Sequence, residues 1–394
     1  MKIISGVSQK NNSYDAIYDC IRNMATEQSA PNLILCYFTE RHNKETIIST
    51  LKSQFPSSKI HGCTSCQGIM TDQGFADDHS IAVWGIFDSG LGCYGTSISQ
   101  FVSHYDIESL TIHLLEEAIK DSGREGELPS LVLLHATSGH EEKIISVIDT
   151  FFGSPVPLIG GTAADNHNQG LWSVFTQDGC VKSGISISVF YPSCKVSYSF
   201  HSGYAPSNVS GIATKTDQRT IYEIDNRPAL EVYKEWTNMS CLLNKRTNLL
   251  ENMAQYPFGR IAGYMYDIPY FKLAHPTKIT NDGGIECFAN IYEGEEVFVM
   301  YGEKDQIISR PQRVIDSATN FKQEKFVPIG GINIFCAGSM MHIKSSMLDV
   351  CDSVNAAMHG APYICPFTFG EQGRFTGGEN AHGNLMVSTV LFHN

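Results

Sequence analysis

The chain has 394 residues, which at about 150 residues per domain suggests two domains or three. It carries 28 Lys and Arg against 41 Asp and Glu, a net charge of −13, and both halves are acidic. Neither half is basic enough to neutralise phosphates, so nucleic acid and anionic membrane are not expected partners. With 42% apolar and 18% charged residues, the composition supports a full core rather than disorder.

The N-terminus, Met1-Lys2-Ile3-Ile4-Ser5, has no apolar h-region, and no stretch approaches the ~20 apolar residues of a membrane span. The expectation is a soluble cytoplasmic protein whose 12 cysteines are mostly reduced.

In chain order, Asn32 to Phe38 reads as a buried strand, followed by Thr39 to His42 and a helical pattern through Ile47, Ile48, Leu51 and Phe55. A second strand ends in Gly62-Cys63-Thr64-Ser65. After a helix between Ser109 and Ser122 the pattern repeats. Ser130 to Ala136 is a strand, Ile144, Ile145, Ile148 and Phe152 mark a helix, and the copy closes on Gly160-Gly161-Thr162-Ala163. His42 and His140 occupy equivalent positions. Each copy continues into two further strands, Ser80–Phe87 with Gly92–Ile98, and Gly184–Tyr191 with Lys195–Phe200. The fold class is therefore α/β and α+β. A duplicated β-α-β-β-β domain spans 1–220, with repeats near 32–99 and 130–200, and a mixed α+β domain spans 221–394. Two strand ends carrying Cys63, Thr64, Gly160, Gly161 and Thr162 should lie near each other, and clefts outside strand ends are common ligand sites.

The second half opens with a helix near Pro228, followed by turns at Tyr256-Pro257-Phe258-Gly259, Asn281-Asp282-Gly283-Gly284 and Glu293-Gly294. A helix from Asp305 towards Phe321 precedes a strand, Gly331 to Ala337, that ends in Cys336-Ala337-Gly338-Ser339. A helix from Lys344 to Met358, the run Phe369-Gly370-Glu371-Gln372-Gly373 and a last strand to Phe392 complete the chain.

The Cys-Ala-Gly strand end, the Gly-Glu-Gln-Gly run and the terminal strand resemble the FIST C-terminal domain. The strand ends at Cys63 and Gly160 resemble the FIST N-terminal domain. The resemblance covers Asn32 to Phe392 and implies a stand-alone sensor that binds a small molecule and reports to a signalling partner. Within the family, the NosP-type group binds haem and reports nitric oxide to a histidine kinase. Three departures stand out: Ser339 and the Lys272-Leu273-Ala274-His275-Pro276 run replace an Arg found in many members, and Pro366 replaces a Gly. If that Arg grips an anion, this chain is not expected to bind the same one.

The expected cofactor is b-type haem, with no metal beyond its iron. Its axial candidates are His275, which follows an apolar-aromatic stretch, then His201, His140 and Cys365. Covalent attachment is excluded, because Cys63-Thr64-Ser65-Cys66 is followed by Gln67 rather than His. That pair leaves a redox switch open; zinc lacks two further ligands at close spacing. Cys336, Ser339 and Glu371 join the ligand-cleft candidates, Glu371 because flanking glycine and amide residues let its carboxylate approach a ligand. Two alternatives remain. One is a haem-free sensor of an amino acid or similar metabolite. The other is an enzyme with Cys336 or Cys63 as nucleophile and Glu371 as acid/base; no G-x-S-x-G, H-E-x-x-H or P-loop supports it.

Overall fold

The computed structural model describes residues 1–102, 106–153, 156–238, 254–265, 267–320 and 326–393. Its three principal sheets, of six strands each, come from one unit used three times. The first unit runs strand Lys2–Ser8, helix Ser13–Ile21, strand Leu33–Phe38, helix Lys44–Gln54, strand Lys59–Thr64, hairpin Gly68–Thr71/Gly74–Asp77 and strand Ile81–Phe87. The second repeats this order from Cys93–Gln100 to Gly184–Tyr191, with helices Ile107–Ser122 and Glu141–Phe152. The strand-helix-strand cores of both copies read from the sequence are present, but the strand expected to close each copy opens the next unit instead: Cys93–Gln100 pairs with Gly184–Tyr191, and Lys195–Ser202 pairs with Met386–His393 in a third unit. That third unit starts with Lys195–Ser202 and resumes at helix Lys304–Thr319. It continues through Gly330–Cys336, helices Ala337–His342 and Met347–Ala357, Tyr363–Thr368, hairpin Glu371–Arg374/Asn380–Gly383 and Met386–His393. The expected reach of its first helix to Phe321 lies outside the described residues.

Local chemistry fixes the helix ends. Asn43 accepts from the Thr46 N–H and Asp106 from the Ser109 N–H, while Gly123 and Gly153 close their helices in the left-handed conformation. The central strands are buried along their whole length, because helices cover one face and another sheet covers the other.

In each sheet the second and third strands of a unit run parallel, and the last strand lies antiparallel beside the second. The outer position beside the third strand is filled by another unit's hairpin. The second unit's hairpin joins the first sheet, the third unit's joins the second, and the first unit's joins the third. The exchange closes a ring, so every sheet joins strands of two units. A core of Leu33, Trp84, Leu133, Phe190, Ile334 and Phe392 lies where the three sheets meet.

Between the first strand and first helix of the third unit sits an insertion, Ala205 to Tyr301. It forms an eight-stranded sheet and the helix Ala229–Thr237 around its own core of Ile221, Tyr233, Phe258 and Ile285. Among the described residues, no helix is long and apolar enough to cross a membrane.

Candidate functional site

The third strands of the three units end at the centre of the ring. Thr64, Thr162 and Thr368 occupy equivalent places, opposite Phe38, Ala136 and Cys336. The Thr64 carbonyl accepts from the Ala164 N–H, the Thr162 carbonyl from Phe369, and the Phe367 carbonyl from Cys66. Cys63, Thr64, Gly160, Gly161 and Thr162 are therefore brought together as expected from the repeat, with Thr368 as a third member. Side chains at Gly62 and Gly160 would collide with the Cys36 and Leu134 carbonyls of the neighbouring strand, so close approach, not turn formation, requires glycine there. His135 lies beneath, its Nδ1 2.8 Å from the Gly161 carbonyl and its Nε2 2.9 Å from the Tyr37 hydroxyl.

Cys336 and Glu371 meet beside this junction. Glu371 lies opposite Gly161; its Oε1 accepts from the Thr368 hydroxyl at 3.0 Å and its Oε2 from the Met386 N–H at 3.1 Å. Burial pushes the Glu371 carboxyl well above its ordinary range, against the N–H of Met386, the Thr368 hydroxyl and the Cys336 thiol. Burial and Glu371 likewise push the Cys336 thiol well up, against the N–H groups of Ser339, Leu385 and Gly338. The pair is held neutral, the opposite of what an activated nucleophile needs. Ser339 is buried near the Tyr204 hydroxyl. Cys63 and Cys66 are also buried, the first pushed well up and the second to about 12, so neither is poised as a thiolate.

A charged network adjoins Thr162. Its hydroxyl donates to Glu141 Oε1 at 2.8 Å and lies 3.2 Å from the Gln372 amide nitrogen. Arg219, from the insertion, donates through Nη2 to Glu141 at 2.6 Å and Glu142 at 3.1 Å. Burial would raise the Glu141 carboxyl, but Arg219, then His382, and the backbone N–H groups of Glu141 and Gly139 outweigh it and hold it at about 2. Ligand atoms of Glu141, Glu142 and His382 lie within 4.8 Å of one another, a spacing that can hold a metal ion. The Arg219 guanidinium already supplies the positive charge between the two carboxylates.

Two cavities flank the hairpin formed by Phe258–Met265 and Ile268–Ala274. One, of about 530 Å³, is lined by His201, Ser202, Tyr204, Met265, Ile268, Pro269, Tyr270, Phe271 and Arg310, among others. Burial, then Arg310 and Arg313, lowers the His201 imidazole to about 4, so it is neutral at pH 7. Burial and Arg313 lower Arg310 to about 10, and its Nε has no partner. The other cavity, of about 300 Å³, is lined by Glu142, Asp149, Arg260, Lys272, Glu379 and His382, among others.

Of the four axial candidates, His201 lines a described cavity. His275 is 2% exposed, its ring against Phe288 and close to Gly338, and its backbone N–H donates to Asn384 Oδ1. His140 is exposed beside Phe101 at the start of helix Glu141–Phe152. Cys365 is buried within a central strand, and burial pushes its thiol well up. Arg219, Arg260, Arg310, Glu141 and Glu142 had no signal in the sequence, because their partners arrive from distant segments.

Residues 32–227 match the FIST N domain and residues 229–374 the FIST C domain, domains associated with small-molecule sensing in signalling. A stretch of 159 residues, 40% of this chain, is 27% identical to "Uncharacterized protein MJ1623" of Methanocaldococcus jannaschii, spanning 28% of that relative's length. Matched over most of its length by both domain families, the chain belongs to the FIST family.

Proposed function

We propose that this protein is a small-molecule sensor that takes up b-type haem in the groove beside His201 and reports nitric oxide to a histidine kinase. The observation that carries the reading is a neutral imidazole and an arginine with an unpartnered Nε on the walls of one largely apolar groove. The groove fits the group: Tyr204, Pro269, Phe271 and Met265 offer ring and aliphatic surface, His201 offers a neutral nitrogen ligand, and Arg310 offers a charged donor for a carboxylate. Bound haem supplies an iron centre that takes up nitric oxide. Met265 and Ile268 are both exposed and on the groove wall, so they carry occupancy to the surface that a kinase meets.

The test is a haemin titration followed by visible absorption, repeated with nitric oxide. The expected result is a sharp Soret band that saturates at one haem per chain and is shifted by nitric oxide. It is weakened in His201→Ala and retained in His275→Ala. A broad free-haem band, or loss confined to the His275 variant, overturns the assignment.

A second reading, a haem-free metabolite sensor, is favoured by the polar cavity on the other side of the hairpin, where cationic and anionic side chains face each other.

A further inference from the structure

We infer that the 300 Å³ cavity is a binding site for a small carboxylate, held by Arg260 and distinct from the His201 groove. Arg260 lies on the strand Phe258–Met265 and is 3% exposed. Its Nη1 donates to the Asn290 carbonyl and lies 3.9 Å from Glu295. Its Nε and Nη2 have no partner. Those two N–H groups form one edge of the guanidinium, the fork that matches the two oxygens of a carboxylate. A charged donor buried without a partner is costly, and here it lines a cavity rather than packed core.

The surroundings narrow the ligand. Lys272 lies directly opposite Arg260 in the hairpin, so two cations share one face, a destabilising pair unless anions are present. Glu379 lies 3.4 Å from Lys272 and meets that charge, which leaves the Arg260 fork unanswered. His382 is 4% exposed, with its Nδ1 3.4 Å from the Gln372 amide nitrogen and its Nε2 unpartnered. The Nε2 of this cavity-lining imidazole is open to a second polar contact with the ligand. Glu142 and Asp149 stand on the helix Glu141–Phe152 that forms another wall. They disfavour a second carboxylate and accept from an amino or hydroxyl group. At about 300 Å³ the cavity is at the small end of ligand pockets, so the ligand has few carbons. The ligand is a short monocarboxylate bearing a hydrogen-bond donor; Tyr292, 54% exposed, stands on the cavity lining beside solvent.

The experiment is calorimetric titration of the haem-free full chain with glycine, alanine, lactate, succinate and inorganic phosphate as separate probes. Saturable binding of an amino or hydroxy monocarboxylate is expected. Arg260→Gln should weaken it at least tenfold and Lys272→Gln or His382→Gln several-fold, while Arg310→Gln leaves it unchanged. Thermal melting checks that Arg260→Gln folds; if it does not, the Lys272 and His382 variants decide. Binding of phosphate or succinate alone, no binding by any probe at millimolar concentration, or full affinity in both the Lys272 and His382 variants overturns the assignment. Because Arg310 and His201 do not line this cavity, failure here is separate from failure of the haem reading.

Discussion

Replacing Arg219 by Met tests the charged network that ties the insertion to the second unit. The Arg219 side chain is 15% exposed and its partner Glu141 is 1% exposed. An ordinary glutamate stands at 4.5, whereas Glu141 is held at about 2. At about 1.4 kcal/mol per pH unit, that difference contributes about 3 kcal/mol of stability at neutral pH. The sign follows from the lowered folded-state value. The contribution is full above 4.5 and is lost as pH falls through 4.5 towards 2. Without Arg219, burial is opposed only by weaker neighbours and the Glu141 carboxyl rises. Breaking one side of such a buried pair costs about 3–5 kcal/mol. Urea unfolding at pH 7, followed by tryptophan fluorescence, should show a loss of that size in Arg219→Met. Part of it should return in Arg219→Met combined with Glu141→Gln, which removes the abandoned charge. The wild type should also lose more stability than Arg219→Met between pH 5 and pH 3. A loss below about 1 kcal/mol at pH 7, or identical acid sensitivity in the two proteins, would refute the reasoning.

Glu371 carries the opposite sign, since its folded-state value is raised above the ordinary 4.5. Its contribution is full below 4.5 and is lost as pH rises towards and through the raised value, so Glu371→Gln should gain on the wild type in thermal melts from pH 4 to pH 8. A constant difference across that range would show that the carboxyl does not titrate as described. Gly160→Ala should cost about 1–3 kcal/mol by pressing a methyl group into the Leu134 carbonyl. Gly179→Ala, where a side chain meets nothing within 4 Å, should stay within about 0.5 kcal/mol, and equal melting temperatures for the two variants would discount the close approach.

Two of the three units were legible in the sequence because close strand approach preserves residue type. Gly62 and Gly160 are held to glycine by a neighbouring carbonyl, and Thr64 and Thr162 follow them by two residues. In the third unit the same place is Pro366, followed by Phe367 and Thr368, so the signature is lost although the register is kept. The insertion hides it further, since Lys195–Ser202 and its partner helix Lys304–Thr319 are separated by Ala205 to Tyr301. The short hairpins were not legible either, because strands of three and four residues are too short to show a period, and one strand of each hairpin is held from outside by another unit. The juxtaposition of Cys63, Gly160 and Thr162 followed from small residues at repeated strand ends, whereas Cys336 and Glu371 were singled out by the family resemblance and by the residues flanking Glu371. The arginine sites did not. Arg219 meets Glu141 across 78 residues of chain, and Arg260 opposes Lys272 only through the hairpin register, which shifts at a bulge between Ile261 and Gly263.

Where the three units differ says more about function than where they agree. By register, Glu371 and Gln372 occupy the places held by Val174 and Phe175 in the second unit's hairpin and by Gly68 and Ile69 in the first. Cys336 likewise stands where the other units have Phe38 and Ala136. Apolar or small residues suffice for the scaffold at all three positions. Polar groups at those positions in one unit alone carry a desolvation cost that the scaffold does not require. The same unit accepts the insertion, which delivers Arg219 and Arg260 to the second unit's helix. A ring of near-equivalent units thus supplies rigidity, and the broken third unit gathers the charged and neutral polar groups on one side of it. Sites built this way sit against well-packed strands and beside a hairpin with exposed apolar residues at its tip, Tyr264, Met265 and Ile268. One hairpin thus contributes to the walls of both cavities, since Arg260 and Lys272 line one while Tyr270 and Phe271 line the other, and a ligand in either touches the same two strands.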